Sequence, residues 1–143
     1  MDAPPADQGC EQDLPPKARL GIQLFNQQQF FEAHEALEAA WKEEKGPMRN
    51  LYRGILQVAV GYYHIRRGNI TGARKMFKRC RPWLTLFPAR CQGVDLARLI
   101  DDFEAVEARL DRLAVENPAV LQQLVFPPVI FDKGMDNEPR TAP

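Results

Sequence analysis

One of the chain's two histidines and three of its glutamates share a single run. It reads Phe30-Phe31-Glu32-Ala33-His34-Glu35-Ala36-Leu37-Glu38-Ala39-Ala40-Trp41, with three large aromatics beside them. Imidazoles and carboxylates at this density can ligate a divalent metal or exchange a proton with a substrate. Read as a helix at about 100° per residue, the run puts Phe30, Ala33, Leu37, Ala40 and Trp41 on a core face. His34 and Glu38 are an i, i+4 pair at its edge, Glu35 borders it, and Glu32 points away.

The partner of this edge is expected in the next helix. Leu51 to Ile65 is apolar nearly all round, which marks a central, buried helix. Its polar exceptions, Arg53, Gln57 and His64, fall within about 40° of one another. A buried polar group without a partner costs roughly 1–3 kcal/mol, so these three need partners. The short connection at Gly46-Pro47 makes the two helices antiparallel neighbours. One inter-helix polar seam is therefore predicted, with His34, Glu35 and Glu38 facing Arg53, Gln57 and His64.

Two uses of the seam follow. In the architectural one, Arg53 pairs with Glu35 or Glu38, Gln57 bridges, and both histidines are neutral and hydrogen-bonded. In the chemical one, His34, Glu35, Glu38 and His64 are the candidate catalytic groups, and His34, Glu38 and His64 the candidate ligands of a divalent metal. Trp41, Arg53, Gln57 and Tyr63 are candidate binding residues. The spacing is not that of a known metal motif. His-Glu-x-x-Glu differs from the His-Glu-x-x-His of zinc proteases. Phe31 stands where a di-iron bundle needs a glutamate, and Arg53 would repel a cation.

The elements that must position these groups are helical. Helices are expected over about 17–26, 30–44, 47–67 and 71–81, with Pro82 ending the fourth. Trp83 to Gly93 reads as a loop. A long fifth helix opens near Asp95 on the 3-4 spacing of Leu96, Leu99, Ile100, Phe103, Val106, Leu110 and Leu113. Asn117-Pro118 breaks it, a short helix is expected to follow to Val125, and Phe126–Phe131 reads as an extended apolar segment lying across the bundle. No alternating strand pattern is present. Gln29-Phe30-Phe31-Glu32-Ala33 aligns with Asn69-Ile70-Thr71-Gly72-Ala73 at a shift of 40 residues. The expected class is all-α, with five to six helices forming two tetratricopeptide-like hairpins closed by a long C-terminal helix. Residues 17–131 form the single domain, between disordered tails at 1–16 and 132–143.

Composition bounds the function. The net charge is +0, so no global field draws in nucleic acid or an anionic membrane. No apolar run reaches the roughly 18 residues of a membrane span, and residues 1–16 lack a secretory signal pattern. The basic residues Arg74, Lys75, Lys78, Arg79 and Arg81 make a local face that reads as solvated, so nucleic acid is not an expected partner. Cys10, Cys80 and Cys91 read as reduced thiols of a cytoplasmic protein, with Cys80 a small core residue.

A set of motifs carries a family resemblance. These are Leu24-Phe25-Asn26; Phe31-Glu32-Ala33-His34-Glu35, Leu37-Glu38 and Trp41; Gly54, Gln57 and His64; Gly68-Asn69 and Gly72-Ala73; and Gly93-Val94-Asp95. The chain resembles, from about Lys17 to Leu113, the bacterial and plastid family called "domain of unknown function 309". The resemblance implies a small all-α fold and no particular activity. The family's motif residues map onto Glu32, His34, Glu35, Glu38, Trp41, Gln57 and His64. Gln28-Gln29 departs from the pattern, because a glycine often stands in that turn. The leading expectation is a helical binding or interaction module whose seam serves mainly architecture, with room to line a pocket for a small molecule, a peptide or a protein, a second copy of the chain included. The alternative is a metal-dependent or acid–base enzyme of hydrolase type.

Overall fold

The computed structural model describes residues 9–132. Among them the class is all-α, as expected. The helices are α1 (Pro16–Asn26), α2 (Phe30–Glu43), α3 (Met48–Arg66), α4 (Ile70–Leu84), α5 (Leu96–Glu107), α6 (Leu110–Leu113) and α7 (Pro118–Gln122). A small antiparallel hairpin, β1 (Arg90–Cys91) with β2 (Val94–Asp95), precedes α5. No helix of the described residues is long and apolar enough to cross a membrane.

Helices α1 to α4 pack in sequence order, and α3 is central between α2 and α4. Close approach is set by glycine. A Cβ on Gly54 would stand 2.5 Å from Leu84, and one on Gly61 2.5 Å from Phe77. Gly21 plays the same part against Leu37 where α1 meets α2. Behind α3 the core is aromatic. Phe25, Phe30 and Tyr62 meet edge to face, and Phe77 stacks on Phe103.

The repeat at a shift of 40 has a physical basis in the two helix-ending turns. Gln28 (φ 67°) and Gly68 (φ 77°) both take the left-handed conformation that closes a helix C-terminus. In each, the next two backbone N–H groups reach back: Gln28 to Phe25 and Gln29 to Leu24, then Gly68 to Ile65 and Asn69 to His64. Gln28 adopts a glycine-like angle because its side chain is anchored. Its Oε1 accepts from the Phe126 N–H (2.8 Å), and its Nε2 donates to the Phe126 carbonyl (3.0 Å). Asn26 grips Val129 in the same two-bond way, at 2.7 and 2.9 Å. These amides hold the extended 126–131 segment across the helices, with Phe126 stacked on Tyr62 at 4.4 Å. Beyond it, Phe131 bridges to Val94 and joins the segment to the hairpin.

Several expectations need correcting. Helix α4 runs through Pro82 to Leu84. Pro82 sits in the last turn on the exposed face, where the backbone bond it forgoes can be replaced by water. The residues read as the loop's start, Trp83 and Leu84, are therefore helical. The single long C-terminal helix is two: Arg109 N–H bonds to the Val106 carbonyl (2.9 Å), a tightened turn that separates α5 from α6. The 90–95 stretch is a hairpin, too short to show an alternating pattern.

The thiol reading of Cys10 and Cys91 is also overturned, since the two are joined in a disulfide spanning 81 residues. Cys80 is the free, buried cysteine, and burial pushes its thiol up to about 12. The disulfide removes the argument from reduced thiols that supported a cytoplasmic location. Gly9, Cys10 and Leu14, assigned to the tail, are packed, while Glu11 to Asp13 between them are exposed. Leu14 is buried, Gln92 N–H donates to the Cys10 carbonyl (2.6 Å), and Gln92 Nε2 donates to the Gly9 carbonyl (3.1 Å). Of the remaining tail positions, Pro16 opens α1 and Asp132 pairs with Arg90 (2.6 Å), whereas residues 1–8 and 133–143 lie outside the described residues.

Candidate binding face on the third helix

The outward stripe of α3 is half-buried: Arg49, Arg53, Leu56, Gln57, Val60 and Tyr63 follow one another along it. Helices α2 and α4 flank it. Because α2 and α3 are antiparallel, residues equally far from their connection face each other. Trp41 therefore meets the start of α3, and Phe31 meets its end. The predicted seam residues are not gathered at one point but spread along the length of this face.

At the first end, Arg53 lies between two indoles. Its guanidinium carbon is 5.0 Å from the Trp41 ring centre and 4.7 Å from that of Trp83. Arg49 also sits over the Trp41 ring, at 5.4 Å. The expected ion pair of Arg53 with Glu35 or Glu38 is not formed. Glu38 is engaged on its own helix, by Lys42 Nζ (3.5 Å) and His34 Nε2 (3.9 Å), and Glu35 is exposed. Cation–π stacking replaces the carboxylate and holds the guanidinium plane in place. Sequence reasoning missed Trp83 because Pro82 was taken as the end of α4. Its spacing of seven from Met76, two helical turns, was the available signal.

In the middle, His34 and Glu38 stay together, as an i, i+4 pair should. His34 leans on the Phe31 ring (5.6 Å), which in turn meets Tyr63 (5.7 Å). His64 turns the other way, towards α4. Asn69 Oδ1 caps the Gly72 N–H at 2.9 Å, so its Nδ2 is the group facing His64 Nδ1 at 3.3 Å. That Nδ1 must accept, and the ring proton of neutral His64 therefore sits on Nε2. Burial, and then the charge of Arg67, lower the His64 pKa. Among the described residues no three His, Cys, Asp or Glu side chains converge as metal ligands, so His34, Glu38 and His64 are not gathered into one metal-binding group.

Among the described residues, three buried polar atoms on this face have no hydrogen-bond partner: His34 Nδ1, Trp41 Nε1 and Gln57 Oε1. Such atoms are uncommon in folded proteins. A fourth, Tyr62 Oη, belongs to the aromatic core, where burial raises its pKa.

At the far end, a cleft of about 670 Å³ lies among Gln28, Phe31, Glu32, Tyr63, Arg66 and Arg67. Arg66 is spoken for: it donates to the carbonyls of Gln28 (2.8 Å) and Leu124 (2.7 and 3.1 Å) and to Gln28 Oε1 (3.0 Å). Arg67 lies over the Tyr63 ring, at 5.5 Å.

Residues 18–76 match the family model described as "Domain of unknown function (DUF309)". The resemblance drawn from the motifs is borne out. The DUF309 match covers α1 to α3 and the first half of α4, a shorter span than the 17–113 read from the motifs. It includes Trp41, Arg53, Gln57 and His64 but not Trp83. The chain is also similar to "Uncharacterized protein YpuF" of Bacillus subtilis (strain 168), at 29% identity over 111 residues. That alignment spans 74% of this chain and 64% of the relative's length. Asn26, which the motif set includes, acquires a structural reason here: its amide holds Val129.

Proposed function

We propose that the protein is a binding module whose working surface is the outer face of α3 with its flanks on α2 and α4. The observation that carries this reading is the cluster of unpartnered polar atoms on that one face, His34 Nδ1, Trp41 Nε1 and Gln57 Oε1. Half-exposed apolar groups, Leu56, Val60 and Tyr63, accompany them. A partner that supplies hydrogen bonds and covers apolar area gains on both counts. The face runs from Arg49 to Tyr63, about 20 Å at 1.5 Å per residue. That length suits an extended peptide or a partner's helix better than a small molecule.

The test is selection of peptides from a random display library against the folded protein. Enriched peptides should lose binding to Val60→Arg and keep it for Arg98→Ser, a change on α5 well away from α3. Peptides that ignore Val60→Arg, or no enrichment over a blank surface, would overturn the reading.

A further inference from the structure

The Trp41–Arg53–Trp83 stack identifies the chemistry of the partner. This step rests on the binding reading above. We infer that Arg53, with Arg49 beside it, is the seat for a carboxylate of an acidic peptide segment.

Four observations converge. Arg53 is half-buried between two indoles and has no carboxylate or carbonyl partner among the described residues. An arginine confined in this way has already lost much of its side-chain freedom, so a bound oxyanion need not order it again. Arg49 follows one turn earlier on the same stripe, over the Trp41 ring at 5.4 Å and without an ion pair among the described residues. Trp41 Nε1 is a buried donor without an acceptor, and both side chains over its ring are cations. The neighbourhood therefore holds a buried donor and two cations with no carboxylate paired to them among the described residues. Glu38, an acidic residue of the seam, is paired with Lys42 on its own helix (3.5 Å). A carboxylate matches the guanidinium fork in shape and charge.

The surroundings select a peptide as the carrier. One to two turns further along α3, Leu56 and Val60 are half-exposed. A segment with acidic residues interleaved with leucines would place carboxylates on Arg53 and Arg49 and apolar side chains on Leu56 and Val60. The interaction should weaken as salt is added.

The chain itself reports on the test. Its two tryptophans are Trp41 and Trp83, and Arg53 lies over both rings, so tryptophan emission, excited selectively over the three tyrosines, reads this site. The probes are a capped Leu-Glu-Glu-Leu-Glu-Glu-Leu peptide and its counterpart with glutamine at every glutamate, titrated into the full chain at low salt. The glutamate peptide should change the tryptophan emission and bind about ten-fold or more tighter than the glutamine one, as one charge-assisted bond provides. Arg53→Lys, which keeps charge but not the fork, should lose most of that preference. Equal binding of the two peptides would overturn the carboxylate inference while leaving the binding face standing. Silence with both would also overturn it, and the display selection would then decide the binding reading on its own. A tryptophan response to a single-stranded oligonucleotide, with the peptides silent, would overturn it in favour of a phosphate ligand. The comparison of the two peptides on the unaltered chain holds even if Arg53→Lys folds poorly.

Discussion

His64 and Gln28 show how one side chain's surroundings set what it can do. His64 accepts from Asn69 and is partly desolvated beside Arg67, so its folded pKa lies below the ordinary 6.5. In the unfolded chain it takes up a proton near that ordinary value. Below 6.5 the unfolded state therefore holds more protons, and stability falls with pH until the folded ring is protonated too. The wild type should thus lose more melting temperature than His64→Gln between about pH 7.5 and pH 5. Equal losses would show that His64 is not the responsible group. Gln28 combines a left-handed backbone with four bonds from its amide and carbonyl. Gln28→Ala should cost roughly 1–3 kcal/mol through the orphaned Phe126 and Arg66 groups. Gln28→Gly loses the same bonds but not the backbone fit, so it should be about 1 kcal/mol milder. Denaturant midpoints of the two variants check the order. The sequence marked this residue only as a departure from a glycine; the distant backbone that makes glutamine serve there was not legible in it.

The elements were largely legible because most of them obey one rule, an apolar stripe at helical spacing between turn residues. The first three helices lie close to their expected bounds. What failed was termination. Pro82 was read as a stop, yet a proline in a last exposed turn forgoes little. No residue type announces the break at Ala108–Arg109, which is a matter of backbone bonding. The seam was legible as a set of residues and not as pairings. Face angles place side chains around a helix, but only the antiparallel register decides which meet along it. Packing at this scale makes a test at Gly61. Alanine is the better helix former by about 1 kcal/mol, but its Cβ would stand 2.5 Å from the buried Phe77 ring. Overpacking costs roughly 1–3 kcal/mol, so Gly61→Ala should lower the urea midpoint. An unchanged or raised midpoint would mean that the Phe77 and Phe103 rings yield freely.

At the scale of the whole molecule, closure comes from long-range ties that sequence periodicity does not encode. The Cys10–Cys91 disulfide joins the segment before α1 to the hairpin before α5. Nothing in the spacing of three cysteines pointed to it. By the chain-entropy account, a loop of this length is worth about 4.5 kcal/mol. Reduction, or Cys10→Ser, should therefore lower the melting temperature clearly while leaving the helical circular dichroism in place at room temperature. A melting temperature indifferent to reductant would count against the bond in solution.

The amide grip of Asn26 and Gln28 on the 126–131 segment has a consequence for the order of assembly. Contacts among α1 to α4 join neighbours in the chain, and such short-range topology forms quickly. The grip joins residues 103 and 98 apart. During synthesis the first four helices can therefore pack while the segment that covers them is still being made. Until Phe126 arrives, the faces of Tyr62 and Phe30 stand open as a sticky seat. The nascent chain is most exposed to wrong partners in that interval, and residues made later end it.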